Sequence, residues 1–397
     1  TFSGESVVHS RRVARPTPSV EARMDTAPPT ELPIHPMAEP ADAPPSLTAP
    51  ASAARACITT AVNGPALSLR EVRFRWPDSG QDVLAELRRK RLRVAHLDID
   101  TTVEPLFGGQ EGAMPGPNPH YHGRPSYHPV LARIAETDTC VGAKLRPGDT
   151  AFGAAEVPLI ERLIDRTRGA VGPSCLLYVR IDGAADCTEI MSAIDHKGAF
   201  FLTKARMTPD LCGAVATTLR WTTIDRDADG MPLRQVAIIN FARQEWRQRG
   251  LAVRVIAVRT RDRWSGKQIY LWEDDEYTAQ VFLTNDFTTA PEDLAQKYNE
   301  RAGIEPLIGE LKSAWGIGKV PSASFVANHA ALLLKLLAHN LLRRYVVEKL
   351  THVPELRSWR APWLRRALIL IPGRLVRSGR AWEIRLPPRP SILPLLE

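Results

Sequence analysis

Residues 298–312, YNERAGIEPLIGELK, place a phenol, two cations and a carboxylate at fixed spacings. Arg301 and Glu305 follow Tyr298 at i+3 and i+7, so one helical face would carry all three, and Lys312 comes after them. A carboxylate among cations suits a site where a metal ion and a phosphate meet, because the acid holds the metal and the cations hold phosphate oxygens. An exposed helix with ordinary charge pairs is the alternative interpretation.

Two upstream acids each end an apolar, strand-like segment. Alternation in residues 94–100 places His96, Asp98 and Asp100 on one face of a predicted strand. Asp182 ends a second apolar run, residues 176–181. An apolar strand that ends in Asp can present a metal ligand at the edge of a sheet, although surface strands also end in Asp. Asp100 is the first candidate on the upstream strand, and Asp98 is the second.

The spacing Y-x2-R-x3-E-x6-K resembles the signature around the last acid of DDE transposases from bacterial insertion sequences. In that family the first acid directly precedes a Ser/Thr-Thr pair, as Asp100 does here in D-T-T. The second family acid lies in R-x-D-S-G-F, whereas Asp182 lies in R-I-D-G-A, which lacks the Ser and the aromatic residue. The resemblance covers about residues 90–390.

The resemblance implies roles for six residues. The catalytic residues, which would also hold two Mg²⁺ or Mn²⁺ ions, are Asp100, Asp182 and Glu305. The residues that would contact DNA are Tyr298, Arg301 and Lys312.

The order of predicted elements resembles a ribonuclease-H-like core, an α/β fold with a mixed sheet flanked by helices. Three strands, a helix, the strand before Asp182, a helix and a further strand follow one another. In that fold the first and fourth strands are neighbours, which would bring Asp100 and Asp182 together. The strand-rich segment between the second and third acids resembles the β insertion of the hairpin-forming branch of these transposases.

The chain divides into six predicted segments. They are a disordered Pro-rich segment (1–60), a short linker with a basic helix (61–92), the first part of the catalytic core (93–212), the inserted β region (213–284), the remainder of the core (285–350) and a basic C-terminal tail (351–397). Pro306 disfavours the α conformation at Glu305 and removes a backbone donor, which predicts a helix break at 303–306 with Glu305 at the boundary.

Composition limits the function classes. The 397 residues carry a net charge of +8, which favours a polyanionic partner. Five scattered cysteines without a C-x-x-C spacing argue against a disulfide scaffold or zinc ribbon and favour a reducing compartment. The longest apolar run, residues 330–342, is interrupted by polar residues and predicts a core helix and no membrane span.

Residues 104–129 form a long segment rich in Gly, Pro and His. The spacing of His120, His122 and His128 fits no standard zinc pattern. The segment resembles an N-P-x-x-x-G-R-P-S-Y-H-P-like loop that joins the first two strands in one branch of these transposases. Its histidines and Arg124 could contact DNA.

The resemblance implies cut-and-paste transposition of an insertion sequence. Its partners would be double-stranded DNA, both the terminal inverted repeats and the target, with the protein acting as a homodimer on DNA in the bacterial cytoplasm, at the nucleoid. Two alternatives remain open: a non-enzymatic DNA-binding remnant, favoured by the Pro-rich tract where relatives carry a helical N-terminal region, and a ribonuclease-H-like nuclease without strand transfer.

Overall fold

The structure, a computed structural model, describes most of the chain from residue 92 onwards; the described residues are 92–118, 122–261, 277–350, 353–368, 370, 373–378 and 381–385. Several predicted features lie outside them, namely the Pro-rich segment 1–60, residues 61–91 of the linker, His120, the strand-like run 267–273 and residues 386–397 of the tail.

The elements follow one another in the predicted order. The strands are β1 (Val94–Thr101), β2 (Glu104–Pro105), β3 (Met114–Pro115), β4 (Pro125–Tyr127), β5 (Val130–Ile134), β6 (Thr139–Lys144), β7 (Leu176–Ile181), β8 (Phe200–Lys204), β9 (Thr222–Arg226), β10 (Pro232–Ile239), β11 (Arg254–Arg261), β12 (Tyr277–Thr284), β13 (Arg374–Ser378) and β14 (Ala381–Arg385). The α-helices are α1 (Val157–Val171), α2 (Thr188–His196), α3 (Pro209–Ala216), α4 (Gln244–Gln248), α5 (Pro291–Asn299), α6 (Ile304–Ala314), α7 (Phe325–Lys349) and α8 (Ala361–Leu368).

Within the described residues, one mixed sheet has nine strands in the order β6-β5-β1-β7-β8-β12-β11-β10-β9. β5 and β6 form a hairpin beside β1, and β7 and β8 continue the sheet parallel to β1. This is the arrangement expected of a ribonuclease-H-like core, so the predicted fold class is confirmed. The inserted strands join the same sheet, because β12 pairs antiparallel with β8.

One face of the sheet packs against α1 and α2. The alternation predicted for β1 is confirmed there, since Leu97 and Ile99 are fully buried in the same cluster as Ile160 of α1 and Ile190 of α2. Each Å² of apolar surface buried in this cluster stabilises the fold by about 25 cal/mol. The cluster leaves the other face of β1 for the polar residues.

The opposite face carries two apolar clusters with polar residues between them. Under α5, Tyr178 packs with Phe282 and Leu294. Under α6 and α7, a separate cluster includes Leu307 and Leu336. The fully buried Asp98 of β1 belongs to neither cluster and is bound by arginines from the two neighbouring strands.

Helix α7 docks on the edge strand β6. Its segment Phe325–Glu348 has the length and composition of a membrane span, yet Leu332 and Leu336 are buried in the core, as the sequence predicts. The side chain of Asn340 accepts a hydrogen bond from the Cys140 amide at 2.9 Å and donates one to the Cys140 carbonyl at 2.8 Å. Asn340 thus satisfies backbone groups on the edge of the sheet.

We expect Asn340→Ala to lower the free energy of unfolding by about 1–3 kcal/mol, because it leaves the buried Cys140 amide and carbonyl without partners. Urea denaturation would measure the change. Leu341→Ala is the control, because Leu341 is 50% exposed on the same helix and its truncation should cost little. Equal losses in the two variants would contradict the role given to Asn340.

Candidate active site

Asp100 and Asp182 lie at the ends of adjacent parallel strands. The Cα register pairs Asp98 of β1 with Arg180 of β7, and each acid lies two residues beyond its member of that pair. Burial raises the pKa of Asp100, and the charge of Asp182 adds to this rise. A nearby cation therefore favours the ionised form of Asp100.

Asp182 caps a short 3-10 helix, Gly183–Ala185, that follows β7. Its Oδ1 accepts a hydrogen bond from the Ala184 amide at 3.0 Å, and its carbonyl accepts one from the Thr203 hydroxyl at 2.7 Å. These contacts fix the Asp182 side chain at the strand end. Within the described residues no hydrogen bond or ion pair occupies its Oδ2, which can therefore accept a further ligand.

Arg301 supplies the cation. Its Nη1 lies 3.1 Å from Oδ2 of Asp100, while Oδ1 of Asp100 accepts a hydrogen bond from the Thr101 amide at 2.8 Å. Burial opposes the charge of the guanidinium, but the charge of Asp100 raises the pKa of Arg301 above its ordinary value. Asp100 and Arg301 thus form a largely buried ion pair.

Tyr298 lies in the last turn of α5 and is 8% exposed. Its ring packs against Phe282 with centroids 4.8 Å apart, and the Arg301 guanidinium lies 5.9 Å from the centroid of the Tyr298 ring. Burial raises the pKa of the Tyr298 hydroxyl, which therefore stays a neutral donor at neutral pH. Tyr298 is both a core residue and a partner of the site.

Glu305 is exposed in the first turn of α6. A 3-10 turn, Glu300–Gly303, separates α5 from α6. The prediction that Pro306 breaks the helix at Glu305 is wrong, because both residues lie in the first turn of α6, where a proline replaces an amide that has no partner within the helix. Tyr298, Arg301 and Glu305 consequently lie on three successive elements and not on one straight helix. Among the described residues no hydrogen bond or ion pair ties the Glu305 carboxylate to another group.

Lys312 lies near the segment that follows Asp100. Its Nζ donates a hydrogen bond to the Val103 carbonyl at 2.9 Å and pairs with Oε1 of Glu104 at 3.2 Å. Burial raises the pKa of Glu104, and Lys312 opposes that rise. Lys312 therefore has an acidic partner that the sequence analysis did not identify.

Asp98 is fully buried between two arginines. Arg180 contacts it through Nε at 2.6 Å and Nη2 at 3.1 Å, and Arg133 contacts it through Nε at 3.3 Å and Nη2 at 3.1 Å. Both carboxylate oxygens are thus committed to buried charge-assisted hydrogen bonds. Asp98 is poorly placed to bind an ion, which leaves Asp100 as the better candidate for the first acid.

The sequence model of the family described as "Transposase DDE domain group 1" matches residues 79–393. The chain belongs to this family of DDE transposases. A comparison with proteins of curated function finds no match.

Among solved structures, the DDE domain is similar to one described as "Cryo-EM structure of piggyBac transposase synaptic complex with hairpin DNA (SNHP)". The sequences are 13% identical, the TM-score is 0.37, and the match covers 72% of this chain and 56% of the other. The match thus spans little more than half of that transposase.

His122 and His128, the two histidines of residues 104–129 that the structure describes, belong to no cluster of metal ligands among the described residues. His122 is exposed, and His128, which precedes β5, is half-buried near Asp182. Burial lowers the pKa of His128, as does the charge of Arg146. Among the residues that the structure describes, no three His, Cys, Asp or Glu side chains are close enough together to hold a metal ion.

The donor set nevertheless fits Mg²⁺ or Mn²⁺, which prefer carboxylate oxygens. Asp100 and Asp182 provide such oxygens at neighbouring strand ends, and Arg301 already balances one negative charge there. Glu305 lies four residues beyond Arg301 with a free carboxylate. A metal-bound state would require Arg301 to release Asp100 and the Glu305 side chain to turn towards the two aspartates, with the backbone of the turn in place.

Proposed function

We propose that this DDE transposase cleaves and rejoins DNA at the ends of a bacterial insertion sequence. The observation that carries the proposal is the placement of Asp100 and Asp182 at the ends of adjacent parallel strands, with Arg301 paired to Asp100. Family membership supports the same reaction class. The Y-R-E-K spacing favours the insertion-sequence branch, and the proposed route is cut-and-paste with a hairpin intermediate.

In this proposal Asp100, Asp182 and Glu305 hold two Mg²⁺ or Mn²⁺ ions. Such ions activate a hydroxyl and stabilise the leaving oxygen during an in-line displacement at phosphorus. The Asp182 carboxylate is held ready by the Ala184 amide, at 3.0 Å. Glu305 completes the set from the first turn of α6.

Three side chains would hold the DNA backbone beside the acids. Arg301 is preorganised for a phosphate, because its planar guanidinium can make two parallel hydrogen bonds and already lies at the site. The Tyr298 hydroxyl donates to a neighbouring phosphate oxygen. Lys312 would bind a further phosphate after releasing its ion-pair partner Glu104.

The protein would act as a homodimer on double-stranded DNA, contacting both the inverted repeats and the target, in the bacterial cytoplasm. The exposed arginines after α7 suit a DNA backbone, because phosphate contacts depend on cationic side chains that water can reach. These are Arg357, Arg360, Arg366, Arg374 and Arg377.

A plasmid carrying the gene with its flanking DNA tests the proposal. We expect the protein to nick the plasmid at the element's ends and join the excised DNA to a second plasmid in Mg²⁺ or Mn²⁺, and to do neither in EDTA. Binding without cutting would identify a DNA-binding remnant. Cutting without joining would identify a nuclease, and either result would overturn the transposase proposal.

A further inference from the structure

We infer that Asp98, Arg133 and Arg180, here called the Asp98 clamp, position the third acid for catalysis. The inference rests on the proposed function and deepens it. The three residues come from β1, β5 and β7, and they are 0%, 5% and 1% exposed to solvent, respectively. None of them has a place in the metal or phosphate contacts proposed above.

Strand register builds the Asp98 clamp. Asp98 pairs with Arg133 across the antiparallel β1–β5 ladder and with Arg180 across the parallel β1–β7 ladder. All three side chains therefore lie side by side on one face of the sheet. A buried carboxylate held by two guanidinium groups is rigid, because any movement breaks charge-assisted hydrogen bonds where water cannot replace them.

Arg180 connects the Asp98 clamp to α5. Its Nε and Nη2 hold Asp98, and its Nη1 donates a hydrogen bond to the Lys297 carbonyl. That carbonyl belongs to the last turn of α5, where carbonyls have no partner within the helix. Nη1 also lies 3.6 Å from Oε2 of Glu300 in the 3-10 turn. Arg180 thus fixes where α5 ends.

Arg133 forms the wall against which the 3-10 turn packs. A Cβ on Gly303 would lie 2.6 Å from Nη2 of Arg133. That guanidinium cannot swing away cheaply, because Asp98 holds Nε and Nη2 and Asp138 holds Nη1. Gly303 is required there for space and not for backbone conformation, since its φ is −60°.

The Asp98 clamp therefore fixes both ends of the turn that carries Arg301. The turn ends at Gly303, one residue before α6 begins and two before Glu305. Arg180 holds Lys297 on one side, and Arg133 touches Gly303 on the other. A displacement of this turn would move Glu305 relative to Asp100 and Asp182. Asp98, Arg133 and Arg180 are positioning residues in this view, because they act through the turn and touch no reacting atom.

Gly303→Ala tests the inference, because it adds one methyl group against Arg133. We expect the single-turnover cleavage rate of the plasmid to fall about tenfold or more, since small misplacements are costly in catalysis. Plasmid affinity should stay within about twofold, and the melting temperature should fall by only about 2–4 °C, the shift expected when overpacking costs about 1 kcal/mol. Gly309→Ala is the matched control, because no atom lies within 4 Å of the added Cβ.

The effect should disappear when Arg133 is removed. In an Arg133→Ala background, Gly303→Ala should cause no further loss of cleavage, because the methyl group then has space. A Gly303→Ala protein that cleaves like the wild type would overturn the inference and leave the transposase proposal standing. An equal loss in the Arg133→Ala background would overturn it as well, because the methyl group would then act elsewhere.

Mn²⁺ binding measured by electron paramagnetic resonance provides a readout that does not need cleavage. Gly303→Ala should weaken Mn²⁺ binding about threefold or more, as expected when one of three carboxylates is misplaced, and Gly309→Ala should not change it. Unchanged Mn²⁺ affinity in Gly303→Ala would count against the inference even if the wild type fails to cut DNA. A wild type that binds Mn²⁺ but never cuts would instead refute the proposed function alone.

Discussion

Glu305→Gln should reduce DNA cleavage about a thousandfold or more, because it replaces a proposed metal-binding carboxylate by a neutral amide of the same shape. DNA binding should be retained, since the substitution leaves Arg301 and Lys312 in place. Stability should hardly change, because Glu305 is exposed and makes no ion pair among the described residues. Single-turnover cleavage and filter binding on the same plasmid would measure both quantities.

Glu292→Gln is the matched control. Glu292 is an exposed glutamate in the first turn of α5, as Glu305 is in α6, so the chemical change and the local structure are alike. The control should cleave at the wild-type rate. Cleavage retained by Glu305→Gln would remove Glu305 from the catalytic set and leave only the two aspartates.

Arg301→Gln should have opposite effects on metal binding and on cleavage. In the DNA-free protein the guanidinium competes with an ion for Asp100, since its Nη1 lies 3.1 Å from Oδ2 of that residue. Removing this charge should strengthen Mn²⁺ binding about tenfold, the effect expected of one neighbouring charge. Cleavage should fall about a hundredfold, because a phosphate contact made by a planar guanidinium is lost.

Lys312→Gln separates two roles of positive charge, which are competition with a metal ion for Asp100 and contact with DNA phosphates. Lys312 pairs with Glu104 and the Val103 carbonyl and does not contact Asp100. The Lys312→Gln substitution should therefore weaken DNA binding without strengthening Mn²⁺ binding. A gain in Mn²⁺ affinity in Lys312→Gln equal to that in Arg301→Gln would show that net charge, and not the contact with Asp100, controls the ion.

The strand pattern and the ends of the strands were predictable from the sequence. Apolar residues alternate in β1 because one face packs on α1, and the side chains of the other face must be polar or paired. Asp100 and Asp182 stand out because each follows an apolar run. The proline after Glu305 misplaced the interruption of the helix, because Pro306 is accommodated in the first turn of α6 and the 3-10 turn lies before it.

The partners of these residues were not predictable, because they are set by register between distant strands. Asp98 and Asp100 share one face of β1, yet Asp98 is held by two buried arginines, whereas Oδ2 of Asp100 faces Arg301. The pairing of Lys312 with Glu104 joins segments far apart in the chain. The 3-10 turn before α6 follows closely on Lys297, whose carbonyl accepts a hydrogen bond from Arg180 of a distant strand.

The sheet order has a consequence for biosynthesis. The five strands around the first two acids, β1, β5, β6, β7 and β8, all precede the inserted strands in the chain, and the inserted strands attach at the free edge of β8. A nascent chain can therefore assemble that half of the sheet while α6 is still being translated. Until the ribosome has passed Glu305, the growing polypeptide would carry only two of the three proposed metal-binding acids, so under the proposed function we expect an unfinished copy not to cut the genome that encodes it.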